Sequence, residues 1–117
     1  MASNIVRFDA VRSLPIASTS GSYVKFGSKF GHAMRVLHFI NDSNGTYMFS
    51  FDGVTDNFPL LAETFTLYDL TSDEDSNEMF RYEVGSQLWI KQLIAPTSTS
   101  GMLSDTIYAV AIYGKGE

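Results

Sequence analysis

The feature that most constrains this chain is its period. Short segments in which apolar and polar residues alternate follow one another at about 8–12-residue spacing, cut by turn residues, and no stretch sustains a helical repeat. Alternation every second residue builds half-buried strands. A chain made of little else has to close as an antiparallel sandwich or barrel. It also has to do so without staples, because there is no cysteine. With 44% hydrophobic and 14% aromatic residues in 117, one packed core is within reach.

The first 32 residues differ from the rest. Residues 4–11 (NIVRFDAV) suit a strand, but Pro15, the STSGS stretch and the glycines at 27 and 31 interrupt it. We expect an arm or irregular edge over 1–32, with a short strand at 22–26, followed by a β-sandwich core over 33–117 of the same domain. Residues 33–41 put Val36, His38 and Ile40 on one face and Arg35, Leu37 and Phe39 on the other. Both faces are largely apolar, so this strand belongs mid-sheet. The Asn44-Gly45 pair is read as a hairpin turn, with residues 46–52 returning and Tyr47, Phe49 and Phe51 in the core. Asp52 and Asp56 bracket a further turn and are expected to cap it. Residues 64–69, 79–84, 87–93 and 106–113 complete the set of strands, with an acidic loop at 71–78 and a Ser/Thr/Gly-rich loop near 95–104.

Little in this pattern carries chemistry. His38 is mid-strand with no nucleophile or orienting acid in its pattern, and His32 lies in a glycine-flanked loop. Their spacing suits no metal. The acidic stretches lack the calcium-loop spacing, and no phosphate-cradling glycine motif occurs. The net charge of −5, with eight scattered Lys and Arg, speaks against nucleic acid. No apolar run is long enough to cross a bilayer, and the start lacks a signal-peptide layout. We therefore expect no enzyme and no cofactor. Trp89, Tyr68, Tyr108 and Tyr113 leave open a sugar-stacking face, the alternative of a lectin-like module.

Taken together, NIVRFDAVRSL at 4–14, SFDGVTDNF at 50–58, FTLYDL at 65–70, QLWIKQ at 87–92 and the closing IYAVAIYG at 107–114 resemble small virion structural proteins of tailed bacteriophages. The resemblance spans nearly the whole chain. It implies an all-β antiparallel sandwich, jelly-roll or immunoglobulin-like, with an extended N-terminal arm. It further implies a non-enzymatic protein of the virion, assembled in the bacterial host cytoplasm. Such a protein would be a capsid decoration (cement) protein or an accessory of the head–tail junction or tail. The implied partners are the major capsid protein or portal and tail proteins, and further copies of the chain in a ring or trimer. The contact residues expected are Ile5, Val6, Arg7 and Phe8 in the arm, Trp89, and Met102 and Leu103 in the 94–105 loop. Deleting residues 1–12 is expected to weaken docking and spare the fold.

Overall fold

The computed structural model describes residues 5–69 and 85–115. Nine strands appear there: β1 (Ile5–Phe8), β2 (Arg12–Pro15), β3 (Val24–Lys25), β4 (Met34–Asp42), β5 (Thr46–Ser50), β6 (Phe58–Leu60), β7 (Phe65–Asp69), β8 (Trp89–Ile94) and β9 (Thr106–Lys115). A single 3₁₀ turn, Ile16–Ser18, is the only helical element among the described residues. The strands form two antiparallel sheets. Sheet A runs β1-β9-β4-β7, with β2 also on β9, and sheet B runs β3-β8-β5-β6.

The pairings nest. β1 and β2 pair with β9, β3 with β8, β4 with β7, and β5 with β6. Each step inward moves to the other sheet and back, as in one long hairpin rolled up on itself. That connectivity is a jelly roll. Of the two sandwich types the sequence left open, the strand order selects this one.

The core lies between the sheets. Leu37, Phe39, Ile107, Ala109 and Ala111 face it from sheet A, and Tyr47, Phe49, Leu60 and Ile90 from sheet B; all are buried. Phe49 is the hub, with ring centroids 4.9 Å from Phe39, 5.1 Å from Phe58 and 5.5 Å from Phe26. The alanines of β9 leave room for this aromatic layer, since a strand flanked on both sides cannot carry bulk everywhere. β4 is indeed central, between β9 and β7. A register shift between Met34 and Val36 turns Met34 inward at its start.

Two expectations need correction. The Asn44-Gly45 turn is no hairpin, because β4 belongs to sheet A and β5 to sheet B. It is an arch that carries the chain between sheets, and buried Asn41 holds it. Its Nδ2 donates to the carbonyls of Gly45 (2.8 Å), Leu61 (3.1 Å) and Leu60 (3.3 Å), while its Oδ1 accepts from Ser43 N (3.1 Å) and Ser43 Oγ (2.6 Å). Gly45 is needed for its size, not for a left-handed backbone. A Cβ there would lie 2.7 Å from Pro96 Cβ and 3.0 Å from the Ile94 carbonyl oxygen. Gly45→Ala should therefore cost about 1–3 kcal/mol in urea denaturation, whereas Gly21→Ala, with nothing within 4 Å, should be near neutral.

The second correction concerns the first residues. Ile5 pairs with Lys115 and Phe8 with Ile112, then Arg12 with Ala109 and Pro15 with Thr106. Three residues stand between Phe8 and Arg12 where β9 has two, so this edge strand is bulged. Arg12 is buried, stacks over Phe30 at 4.4 Å and pairs with Asp9 at 3.0 Å. Removing residues 1–12 would strip β9 of a partner and take Arg12 out of the interior, so the fold would not be spared. The expected strand at 79–84 and the acidic loop at 71–78 lie outside the described residues.

Candidate contact surfaces

β9 and β4 turn every second side chain away from the core, and at mid-strand most of those side chains are apolar, with exposed Ser13 of β2 beside Tyr108 and the polar pair Asp42–Thr106 closing the face at one end. Tyr108, Ile40 and Phe65 form one cross-strand row; Val110, His38 and Leu67 form the next; Phe8, Ile112 and Val36 the third, which ends on Asp69. Phe8, Phe65 and Leu67 are 69%, 68% and 54% exposed. His38 packs edge-on against Phe65 at 5.5 Å, so it sits within this layer as a packing ring. A solvated sheet face normally carries polar residues. An apolar outer face marks a surface meant to be covered.

The expected contact residues fall in three places. Arg7 and Phe8 are exposed on the edge strand, and Phe8 joins the apolar face; Ile5 and Val6 lie in the same strand. Trp89 is on the other sheet, opposite Ser50 and Lys25. It is half-buried, since Gly53 (φ 78°) brings the turn so close that a Cβ would sit 2.9 Å from the Trp89 ring. Lys25 Nζ lies 5.7 Å from the ring centroid. Trp89 is therefore a strut beneath the turn rather than an open stacking platform. Tyr68 packs against the core and Tyr113 stacks on His32 at 3.8 Å, so the aromatics do not converge on one face. Met102 and Leu103 lie in the 95–105 loop, where Met102 is 86% exposed and Leu103 half-buried.

The turn over Trp89 is built on Asp52. Its Oδ1 accepts from Thr55 N (2.7 Å), Val54 N (2.8 Å) and Ser50 Oγ (2.8 Å), and its Oδ2 from Thr55 Oγ1 (2.9 Å). These donors, the Thr55 amide foremost, hold the Asp52 carboxyl below the usual carboxylate range. Because the folded value is depressed, the stabilisation is complete above the unfolded pKa and is lost as pH falls through the folded one. Between neutral and strongly acid pH the wild-type denaturation midpoint should fall more steeply than that of Asp52→Asn. Asp56 does not cap the turn as expected. It accepts from the Tyr23 hydroxyl and pairs with Lys91 at 3.2 Å, contacts that lower its pKa.

A cleft of about 530 Å³ lies where the bulge of the edge strand meets the 27–32 loop, lined by Asp9, Arg12, Lys29 and His32 among others. Arg12 is already committed there, to Asp9 and to the Ser28 and Lys29 carbonyls. Among the described residues no group of three His, Asp or Glu could hold a metal. No helix there is long and apolar enough to cross a membrane. No family model, curated protein or solved structure matches the chain.

Proposed function

We propose that this chain is a non-enzymatic virion structural protein of a tailed bacteriophage, docking in many copies on the capsid shell as a decoration protein. The apolar outer face of sheet A carries the reading. Four strands about 4.8 Å apart and five residues of about 3.4 Å each give a footprint of roughly 300 Å². A standard specific interface buries about 800 Å² per partner. One such face binds weakly alone. Repeated over a symmetric shell, with neighbouring copies adding contacts, it holds through multivalency. The major capsid protein is the partner this arrangement suits, and assembly would take place in the host cytoplasm. The resemblance of the turn and strand motifs to small virion proteins points the same way.

Quantitative mass spectrometry of purified particles tests it. Hundreds of copies, relative to the major capsid protein, are expected. About six to twelve would move the protein to the neck or tail, and absence from the particle would overturn the proposal.

A further inference from the structure

Asn44 is the one asparagine in the chain that is followed by glycine. That pair carries a chemistry of its own. The Gly45 amide nitrogen, once deprotonated, can attack the Asn44 side-chain carbon Cγ. An N–Cγ bond forms and closes a cyclic succinimide, the Cγ–Nδ2 bond breaks, and the side-chain nitrogen leaves as ammonia with the proton from the Gly45 amide. Water then opens the ring at either carbonyl, giving aspartate or isoaspartate. Glycine favours the attack because no Cβ crowds its nitrogen.

In the folded chain both reactants are tied elsewhere. Asn44 Nδ2 donates to Thr97 Oγ1 (2.9 Å) and Asn44 Oδ1 accepts from Thr97 N (2.8 Å), so the carboxamide is clamped through both its polar atoms to a residue 53 positions along the chain. Gly45 N donates to Ser43 Oγ (3.3 Å), which in turn donates to the buried Asn41 Oδ1 (2.6 Å). Gly45 itself is buried, with Pro96 and the Ile94 carbonyl against its Cα. For Asn44 Cγ to swing over the Gly45 nitrogen, the Thr97 clamp has to break and the Ser43 bond with it.

We infer that Asn44 is a latent site of spontaneous deamidation, guarded by Thr97, which reacts only when the arch between the sheets opens. Such local opening leaves the core folded. Each Thr97 bond is worth roughly a factor of two to ten in the balance between closed and open arch. The two products then part ways. An aspartate carboxylate can accept from both the amide and the hydroxyl of Thr97, so that product keeps the clamp. Isoaspartate adds a methylene to the main chain of an arch that has no room beside Pro96, so that product holds the arch open.

The test warms the full chain at mildly alkaline pH and follows the deamidation mass change in the peptide that contains position 44. The chain unfolded in guanidinium chloride should react at least roughly tenfold faster than the folded chain. Folded Thr97→Val leaves Nδ2 without its acceptor and should react roughly two- to tenfold faster than wild type. Thr97→Ser keeps the hydroxyl and should react at the wild-type rate. So should Ile90→Val, a small core truncation toward the other end of β8, which separates loss of the clamp from loss of stability. The isoaspartyl product should unfold at lower denaturant than Asn44→Asp. A wild-type rate for Thr97→Val, or equal rates for folded and unfolded chain, would overturn Thr97 as the guard. Coincident midpoints for the isoaspartyl product and Asn44→Asp would overturn the opened arch.

Discussion

Asn41→Ala is expected to destabilise the fold by about 3–4 kcal/mol, near the top of what one polar side chain can do. Asn41 is 2% exposed and serves five bonds at the arch between the sheets. Alanine leaves the carbonyls of Gly45, Leu60 and Leu61 and the amide of Ser43 without that partner, where water has poor access. Each buried group so abandoned loses its full solvation, which is why the cost exceeds the net value of a single hydrogen bond. Asn41→Asp keeps the volume but turns a carboxylate toward carbonyl oxygens, so at neutral pH it should be at least as damaging. Urea denaturation should show both midpoints shifted with the slope unchanged. A cost under about 1 kcal/mol for Asn41→Ala would mean that the arch is held by something else.

Phe49→Ala is expected to cost about 3–5 kcal/mol, by a different mechanism. Phe49 is fully buried and central to the aromatic layer, between Phe26, Phe39 and Phe58. Its removal leaves a cavity bounded by rings on both sheets, which cannot all move in to fill it. A domain with about 5–15 kcal/mol in total would be left marginal. Phe65→Ala makes the contrast. It removes a ring of the same size, 68% exposed, on the outer face of sheet A, and should change the unfolding free energy by no more than about 0.5 kcal/mol. The two phenylalanines are alike in sequence context. One belongs to the fold and the other is available to a partner.

That difference was only half legible in the sequence. The two largely apolar faces of residues 33–41 mark that strand as central, and β4 does lie between β9 and β7. The alternation reads Tyr47, Phe49 and Phe51 as core; Tyr47 and Phe49 are buried, while Phe51 lies beyond the end of β5 and is half-buried against the core. The pattern in 64–69 gave the two faces of β7 but not which one is inside: Phe65 and Leu67 point outward while Tyr68 packs on the core. Period alone fixes which residues share a face; only the sheet's place in the sandwich decides which face is wet. The Asn-Gly pair misled for a related reason. A hairpin and an arch both need a tight polar turn, and the distinguishing residue is Asn41, which lies before the turn and acts through carbonyls of a third segment, Leu60 and Leu61. Such long-range satisfaction leaves no local signature. The bulged edge strand was obscured in the same way, because Arg12 gives no sign in sequence of its burial against Phe30.

The most direct test is attachment of Leu67→Asp to purified particles, with Val54→Asp as control. Both positions are exposed, at 54% and 81%, so both variants should keep the wild-type unfolding midpoint. Leu67→Asp puts a charge on the apolar face, in its central row on edge strand β7, beside His38. Loss of Leu67→Asp from particles, with Val54→Asp carried at wild-type copy number, is the predicted result. Wild-type attachment by Leu67→Asp would contradict the account, because the face that carries it would then be idle.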